Sequence, residues 1–260
     1  MRKKLSREFK ESYLLSFVWI KLSTLDILKR YRRSVLGPFW ITITTLVTTT
    51  TLSFIYSKVL NVEIYEYFPY LTIGLIYWNF ASTLLNESCE TFIESERIIK
   101  QENFSFVVYV LRVISRNYII LFHNLLIFLI IFFILGIPSI KNLLLFTLSL
   151  VIIFCVAIPI SFLISILSAR YRDIPPIVSS LLQLSFFATP ILFKKNLLNE
   201  YEFILQFNPF FYFLEIFRNP ILGEPVVAEI YIGCIIIALC SWLFFLLIYN
   251  KSKDKISFWI

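Results

Sequence analysis

Glycine is scarce in this chain of 260 residues, which contains only five, at positions 37, 74, 136, 223 and 233. A phosphate-binding P-loop needs two glycines five positions apart, and a dinucleotide-binding loop needs a Gly-x-Gly pair. Neither spacing occurs. The sequence therefore predicts that this chain binds neither ATP nor a dinucleotide through these motifs, and that it carries no cofactor of its own.

Histidine and cysteine are too few and too scattered for a metal or redox site. His123 is the only histidine, and the cysteines lack CxxC spacing. All four cysteines lie in or beside apolar segments, which favours small packing residues over disulfides. We interpret His123, inside an apolar run, as a hydrogen-bonding group that faces another helix. We therefore predict no metal site and no catalytic residue.

Long stretches of the chain lack charge altogether. Hydrophobic residues make up 58% of the sequence and its mean hydropathy is +0.80, more than a soluble domain of this length carries. Six charge-free runs are long enough to cross a bilayer core of about 30 Å at about 1.5 Å per residue. These runs are residues 39–57, 67–86, 117–140, 142–169, 174–193 and 230–250. The sequence thus predicts an all-α integral membrane protein with six transmembrane helices.

Two further apolar stretches do not fit a crossing helix. Residues 5–30 repeat apolar side chains at helical spacing but are interrupted by charges, which predicts an N-terminal amphipathic helix lying along the interface. Residues 203–214 are charge-free but too short to cross, and contain Asn208-Pro209. Glu215 and Arg218, three positions apart, are spaced to pair on one helical turn. We predict a re-entrant helical hairpin between spans five and six, with an ordinary external loop as the alternative.

The net charge of +7 is distributed between the apolar runs rather than over one patch, so it indicates orientation and not nucleic-acid binding. Seventeen Lys and Arg residues fall on one side of the six-span arrangement and five on the other. The side with more positive charges is cytoplasmic, which places both termini there. We divide a single membrane domain, 1–260, into an N-terminal helix and basic flank (1–35), a bundle (36–250) and a tail (251–260).

A basic and aromatic junction precedes the first span. Arg30, Tyr31, Arg32 and Arg33 run towards Trp40, after which no charge appears until residue 58. Arg is favourable beside anionic headgroups, while Tyr and Trp prefer the membrane interface. The junction is therefore typical of a wet basic surface that meets hydrocarbon.

The segment 87–106 alternates charged and apolar residues between the second and third spans. Its candidate contact residues are Glu90, Glu94, Arg97, Ile98 and Lys100. An amphipathic helix here is suited to dock in a groove of a soluble partner. A solvated connecting helix is the alternative.

Hydroxyl groups and aromatic rings recur within the first two spans. Thr44, Thr48 and Thr51 share one helical face, as do Tyr70 and Tyr77 on the next span. Such side chains can line a passage for sugars. They can also bond their own helix carbonyls or pack helices together.

Three motifs together resemble a known family. The run from Arg30 to Trp40 resembles the N-terminal signature of ABC-transporter permeases that export bacterial polysaccharides. The run 169–174, with Thr189-Pro190 beyond it, resembles that family's junction between spans four and five. Asn208-Pro209, with Arg218 ten residues after Asn208, resembles its external re-entrant gate. The junction residues that match are Arg170, Arg172 and Asp173.

The resemblance implies a homodimeric channel with two copies of a separate cytoplasmic ATPase, which holds ATP and Mg. The segment 87–106 would be the coupling helix, and Asn208, Pro209, Glu215 and Arg218 the gate. The arginines at 30, 32 and 33 would attract the diphosphate of a lipid-linked polysaccharide, or equally anionic membrane lipids.

An O-antigen is the first substrate that the resemblance suggests. Capsule, teichoic acid, or another lipid or drug are alternatives. Two alternatives belong to other classes of protein. A membrane glycosyl- or acyltransferase would need clustered acids or histidine near the interface. An ion-coupled flippase would need buried charges in its spans.

Overall fold

The computed structural model describes residues 5–102, 104–136, 138–225 and 227–260, and every regular element in these ranges is a helix. Residues 1–4 of the predicted basic flank lie outside the described part, as do single residues of segment 87–106, of the third predicted span and of the loop before the last span. The α-helices are α1 (Leu5–Leu14), α2 (Ser16–Arg30), α3 (Phe39–Val59), α4 (Ile64–Glu94), α5 (Glu96–Gln101), α6 (Phe106–Asn124), α7 (Ile127–Leu135), α8 (Ile140–Arg170), α9 (Ile174–Ala188), α10 (Pro209–Leu222), α11 (Ala228–Ser252) and α12 (Ile256–Trp259). Two 3-10 segments cover Lys195–Phe207 and Lys253–Lys255.

Four helical stretches in the described ranges are long and apolar enough to cross a membrane. They are Phe39–Val59, Phe106–Ile134, Ile140–Arg170 and Ala228–Trp259. The chain is therefore an all-α membrane protein. The helix α9 has 15 residues and extends only about 22 Å, less than a bilayer core.

The helix α4 forms the centre of the bundle. It packs against α3, α6, α8, α9 and α10, and Leu71, Ile73 and Ile76 are completely buried. Segment 189–193 approaches it closely, because a Cβ added at Gly74 would lie 3.4 Å from the Ile191 side chain. Because it has neighbours on most sides, α4 is largely buried although its sequence includes polar and aromatic residues.

The third predicted span has the wrong boundaries. The helix begins at Phe106, eleven residues before the predicted start, after Ser105 accepts a hydrogen bond from the backbone N–H of Val107. Arg112 and Arg116 lie within this helix because neighbouring carboxylates pair with them. A prediction based on charge-free runs places the end of the span at such residues. A cation that is paired with a carboxylate, however, can lie within the helix.

The fifth predicted span, 174–193, is also too long. The helix α9 ends at Ala188, and Thr189 is extended with a ψ of 137°. The residue before a proline is pushed out of the helical region, so Pro190 ends the helix.

The predicted N-terminal helix is two helices. A turn at Leu15 separates α1 from α2. Glu8 of α1 is 4% exposed and is held by the Tyr249 hydroxyl and the Lys253 ammonium group near the other end of the chain. The two ends of the chain are thus tied together at one end of the bundle.

The predicted role of His123 is wrong in detail. Its Nδ1 lies 2.8 Å from the backbone oxygen of Ile119 in its own helix rather than from a group of another helix. The contact between helices comes instead from Thr42, whose hydroxyl donates to the His123 backbone oxygen at 2.9 Å.

Candidate functional site

A buried ion pair lies in α10, where the sequence spacing predicts it. The Arg218 Nη2 donates to Glu215 Oε1 at 2.6 Å, and each residue is 2% exposed. Glu215 also accepts from the Asn219 amide at 3.0 Å and lies 3.6 Å from the Lys195 ammonium group. Several donors around one carboxylate explain why a charge is stable at this depth.

This ion pair also fixes the segment that follows α9. Arg218 Nη1 donates to the backbone oxygen of Pro190 at 2.8 Å, and its guanidinium lies 4.1 Å from the centre of the Tyr70 ring. The Tyr70 hydroxyl lies 3.0 Å from the Pro190 oxygen and 2.7 Å from the Phe193 oxygen. The cluster therefore joins α4, α10 and the chain after α9.

Asn208 starts α10 and connects it to the same segment. Its Oδ1 accepts from the Phe210 N–H at 3.0 Å, and Pro209 takes the first helical position, where its missing N–H costs nothing. Its amide donates to the hydroxyl of Thr189 at 2.9 Å. All four predicted gate residues thus lie on α10 or at its N-terminus, around residues 189–193.

A network of paired charges lies at the opposite end of the bundle. Asp26 accepts two hydrogen bonds from Arg112, at 2.8 and 2.6 Å, and one from Arg116 at 3.2 Å. Glu87 accepts from Arg116 Nε at 3.1 Å and from the Asn117 amide at 2.7 Å. The network clamps α2 onto α6 and α4.

Sequence reasoning missed this network. Asp26 looked like an interruption of an amphipathic helix, and Glu87 like the start of a solvated segment. Arg112 and Arg116, one turn apart inside a long apolar helix, were the available signal, because a cation at such a position needs a carboxylate nearby.

Arg30 connects this network to the basic junction. Its Nη2 lies 3.4 Å from Glu87 Oε1, while Arg32, Arg33 and Trp40 are exposed and Tyr31 is half-buried. The turn between α2 and α3 uses left-handed backbone at Arg33, with a φ of 70°. The predicted entry residues therefore share one edge of the bundle, and within the described ranges only Arg30 among them pairs with an acidic side chain.

A polar cavity of about 410 Å³ lies beside Arg30, between α3, α4 and α6. We call it the threonine cavity, and its lining includes Arg30, Tyr31, Thr44, Thr48, Asn79 and Asn124. Two of the predicted channel-lining residues, Thr44 and Thr48, thus face this cavity. Thr51 is exposed farther along α3, whereas Tyr70 and Tyr77 are 5% and 3% exposed inside the bundle.

Four of the five predicted coupling residues are charged and exposed. Glu90 and Glu94 are exposed on the last turns of α4, which runs on as a helix to Glu94 rather than ending after the predicted span. After a turn at Ser95, α5 exposes Arg97 and Lys100, while Ile98 packs against the core. The Lys100 ammonium group donates to Glu96 at 2.6 Å and lowers the pKa of that carboxyl.

The predicted junction between spans four and five lies next to α5. Arg170, Arg172 and Asp173 are all exposed, and the charge of Arg172 also lowers the pKa of Glu96. The Arg170 guanidinium lies 5.3 Å from the centre of the Trp259 ring in α12, which also contacts α5. Three separate parts of the chain therefore build one surface at this end.

Long apolar helices packed around a central helix, with paired charges at both ends of the bundle, define a multi-pass membrane protein. Residues 19–222 match the model of the ABC-2 type transporter family, and the chain belongs to that family. Two relatives from Klebsiella pneumoniae, each described as "O-antigen export system permease protein RfbA", are 26% identical to it. The matches cover 96% and 95% of this chain and 97% of each relative.

Family membership makes this chain the membrane subunit of a transporter rather than an enzyme. An ABC transporter requires an ATPase, and the glycine spacing of a P-loop does not occur in this sequence. The ATPase is therefore a partner of this chain.

Proposed function

We propose that this chain is the membrane-spanning, channel-forming subunit of an ATP-driven exporter that moves a lipid-linked polysaccharide, foremost an O-antigen, out of the cytoplasm. The similarity to two O-antigen export permeases over nearly the whole chain carries this proposal. The polar and aromatic interior and the charged cytoplasmic surface are consistent with it.

In this proposal the chain crosses the inner membrane six times. The central helix α4 supplies one crossing, and α9 with the extended residues after it supplies another. The 3-10 segment Lys195–Phe207 and α10 form the external re-entrant hairpin. The hydrogen bonds and ion pair of Asn208, Glu215 and Arg218 hold this hairpin in place. Both termini lie in the cytoplasm, as the excess of Lys and Arg on that side supports.

Two copies of the chain form the channel at a two-fold axis, and each binds one ATPase subunit that holds ATP and Mg. The ATPase contacts the surface on and beside the short helix α5, at the exposed end of α4, and its movement is transmitted there. The contact residues are Glu90, Glu94, Arg97, Ile98 and Lys100. Since α4 contacts most of the bundle, a displacement of its end reaches α3, α6, α8 and α10 together.

Substrate enters beside the basic junction in this scheme. Arg30, Arg32 and Arg33 attract the diphosphate of the lipid carrier, because a guanidinium donates two parallel hydrogen bonds to such groups. Thr44, Thr48, Thr51, Tyr70 and Tyr77 line the passage. Tyr70 and Tyr77 reach it only after α10 and α4 move apart, since both are buried here.

Co-purification with an ABC-type ATPase that is co-expressed with this chain tests this proposal. The double variant Glu94→Lys/Arg97→Glu reverses two exposed charges and keeps the net charge, so we expect folded protein that loses the ATPase and its coupled hydrolysis. Glu63→Lys, an exposed charge reversal beside the other end of α4, is the matched control and should keep both. A wild-type chain that binds no ATPase, or that modifies a glycolipid by itself, would overturn the proposal.

A further inference from the structure

The threonine cavity has space and polar groups that the packing of the bundle does not require. Its volume of about 410 Å³ falls within the range of about 300–1,000 Å³ that is typical of small-ligand sites. It begins at Arg30 and Tyr31 and follows α3 from Ile41 to Thr49, a rise of about 12 Å at about 1.5 Å per residue. Its lining combines the Arg30 guanidinium with threonine hydroxyls and asparagine amides, beside apolar side chains such as Phe80.

Three of the four α3 threonines in this lining contribute acceptors to the cavity. The hydroxyls of Thr44, Thr45 and Thr49 donate to backbone oxygens of their own helix, for example Thr45 to Ile41 at 2.9 Å. A hydroxyl whose proton is used in this way still offers oxygen lone pairs. These hydrogen bonds within α3 account for the hydroxyl protons of the threonines, but not for the space in the cavity.

Asn124 provides an independent sign of a missing donor. It lines the cavity and is 4% exposed, and its Oδ1 has no hydrogen-bond partner in the described part of the chain. A buried acceptor without a partner costs about 1–3 kcal/mol, so such atoms are usually paired in a functional state. A ligand that carries donors would pair it if the side chain turned towards the cavity.

The acceptors in this lining favour a ligand with hydroxyl groups. Phosphate oxygens only accept hydrogen bonds and cannot pair with the threonine oxygens or the Asn124 Oδ1, whereas sugar hydroxyls donate as well as accept. Phe80, 6% exposed, also lines the cavity and offers an apolar surface for the C–H face of a sugar ring. Arg30 at the mouth remains the one cation of the lining, where a diphosphate can stay outside.

We propose that the threonine cavity is a glycan-binding site that receives the sugar nearest the lipid diphosphate before export, with Thr48 and Asn124 as specificity-determining residues. This inference rests on the proposed function. The cavity lies within one protomer, so each half of a homodimer would hold its own site. The glycan hydroxyls donate to Asn124 and to the threonine oxygens while Arg30 holds the diphosphate at the mouth.

The test measures binding to the permease–ATPase complex in lipid nanodiscs. The probes are a polyprenyl diphosphate that carries a short hexose oligosaccharide and the same diphosphate without sugar. We expect Thr48→Val and Asn124→Leu each to weaken binding of the sugar-bearing probe about tenfold, the effect of losing one or two buried hydrogen bonds. Binding of the sugar-free probe should stay unchanged in both variants.

Thr50→Val is the matched control, because Thr50 is exposed on α3 but turned about 200° away from Thr48. It should bind both probes like the wild type. If Asn124→Leu fails to fold, Thr48→Val alone decides the matter, since Thr48 is exposed and valine has the same shape. Wild-type affinity in the folded variants would overturn the proposal, and an equal loss for the sugar-free probe would make the cavity an anion site instead.

Failure of this inference can be told apart from failure of the proposed function. A complex that assembles, hydrolyses ATP and exports polysaccharide while all variants bind normally removes only the glycan site. A wild-type chain that binds no ATPase and supports no export removes the proposed function itself.

Discussion

The buried pair of Glu215 and Arg218 should respond to single and double substitution in clearly different ways. Glu215→Gln removes the negative charge that faces the Arg218 guanidinium, 2% exposed, and leaves it with neutral partners such as the Pro190 oxygen and the Tyr70 ring. Removing one member of a buried ion pair costs about 3–5 kcal/mol, because the remaining buried charge loses its compensation. We expect Glu215→Gln to lower the free energy of unfolding by about that amount.

Arg218→Gln should lower the free energy of unfolding by an amount near the lower end of the same range. Glu215 keeps the Asn219 amide at 3.0 Å and Lys195 at 3.6 Å. Lys195 cannot fully replace Arg218, since its side chain is 41% exposed and such a pair contributes about 1 kcal/mol or less. The asymmetry between the two single variants follows from this third charge.

The double variant Glu215→Gln/Arg218→Gln has no buried charge left and should cost only about 1–3 kcal/mol, the scale of imperfectly paired amides. The two single effects would then be non-additive by at least about 2 kcal/mol. Unfolding in mixed micelles of rising denaturing-detergent content measures all four free energies. Additive effects, or a double variant less stable than either single one, would refute the view that the two charges compensate each other.

Three further predictions concern other parts of the chain. Asp26→Asn removes the charge that faces Arg112, so we expect α2 to detach more often and its backbone amides to exchange hydrogen faster; unchanged exchange would contradict the clamp. Gly223→Ala should cost about 1–2 kcal/mol in unfolding free energy, because Gly223 ends α10 with a φ of 77°, and a cost near zero would contradict that backbone geometry. Lys100→Ala should raise the pKa of Glu96 towards its ordinary value, so that the carboxyl takes up its proton at higher pH than in the wild type in a carboxyl NMR titration; an unchanged titration would rule out the pair.

The sequence predicted the helical membrane class because long charge-free runs allow few other structures. It also predicted the partner of Arg218, because Glu215 lies one helical turn away and the pairing is local. Pro190 was read as part of a motif, although it also ends α9, which makes the fifth predicted span too long. Local rules therefore succeeded where the deciding contact lies within a few residues.

Contacts between distant segments were out of reach for the same rules. Asp26 and Arg112 are 86 positions apart, and only the packing of α2 on α6 brings them together. Glu8 likewise looked like one charge of a surface helix, but it is buried against the last helices of the chain. The threonine cavity depends on the angle between three helices, which periodicity along one helix does not specify.

The burial of α4 has a consequence for biogenesis. Nineteen of its 31 residues are buried, yet it does not belong to the four stretches that are apolar enough to cross a membrane unaided. If it crosses as proposed, the insertion machinery should hold it back until its flanking helices arrive. The order of synthesis then matters, since α3 emerges from the ribosome first and α6 follows. Damage to either neighbour should therefore appear as misinserted nascent chains before any loss of transport is measured.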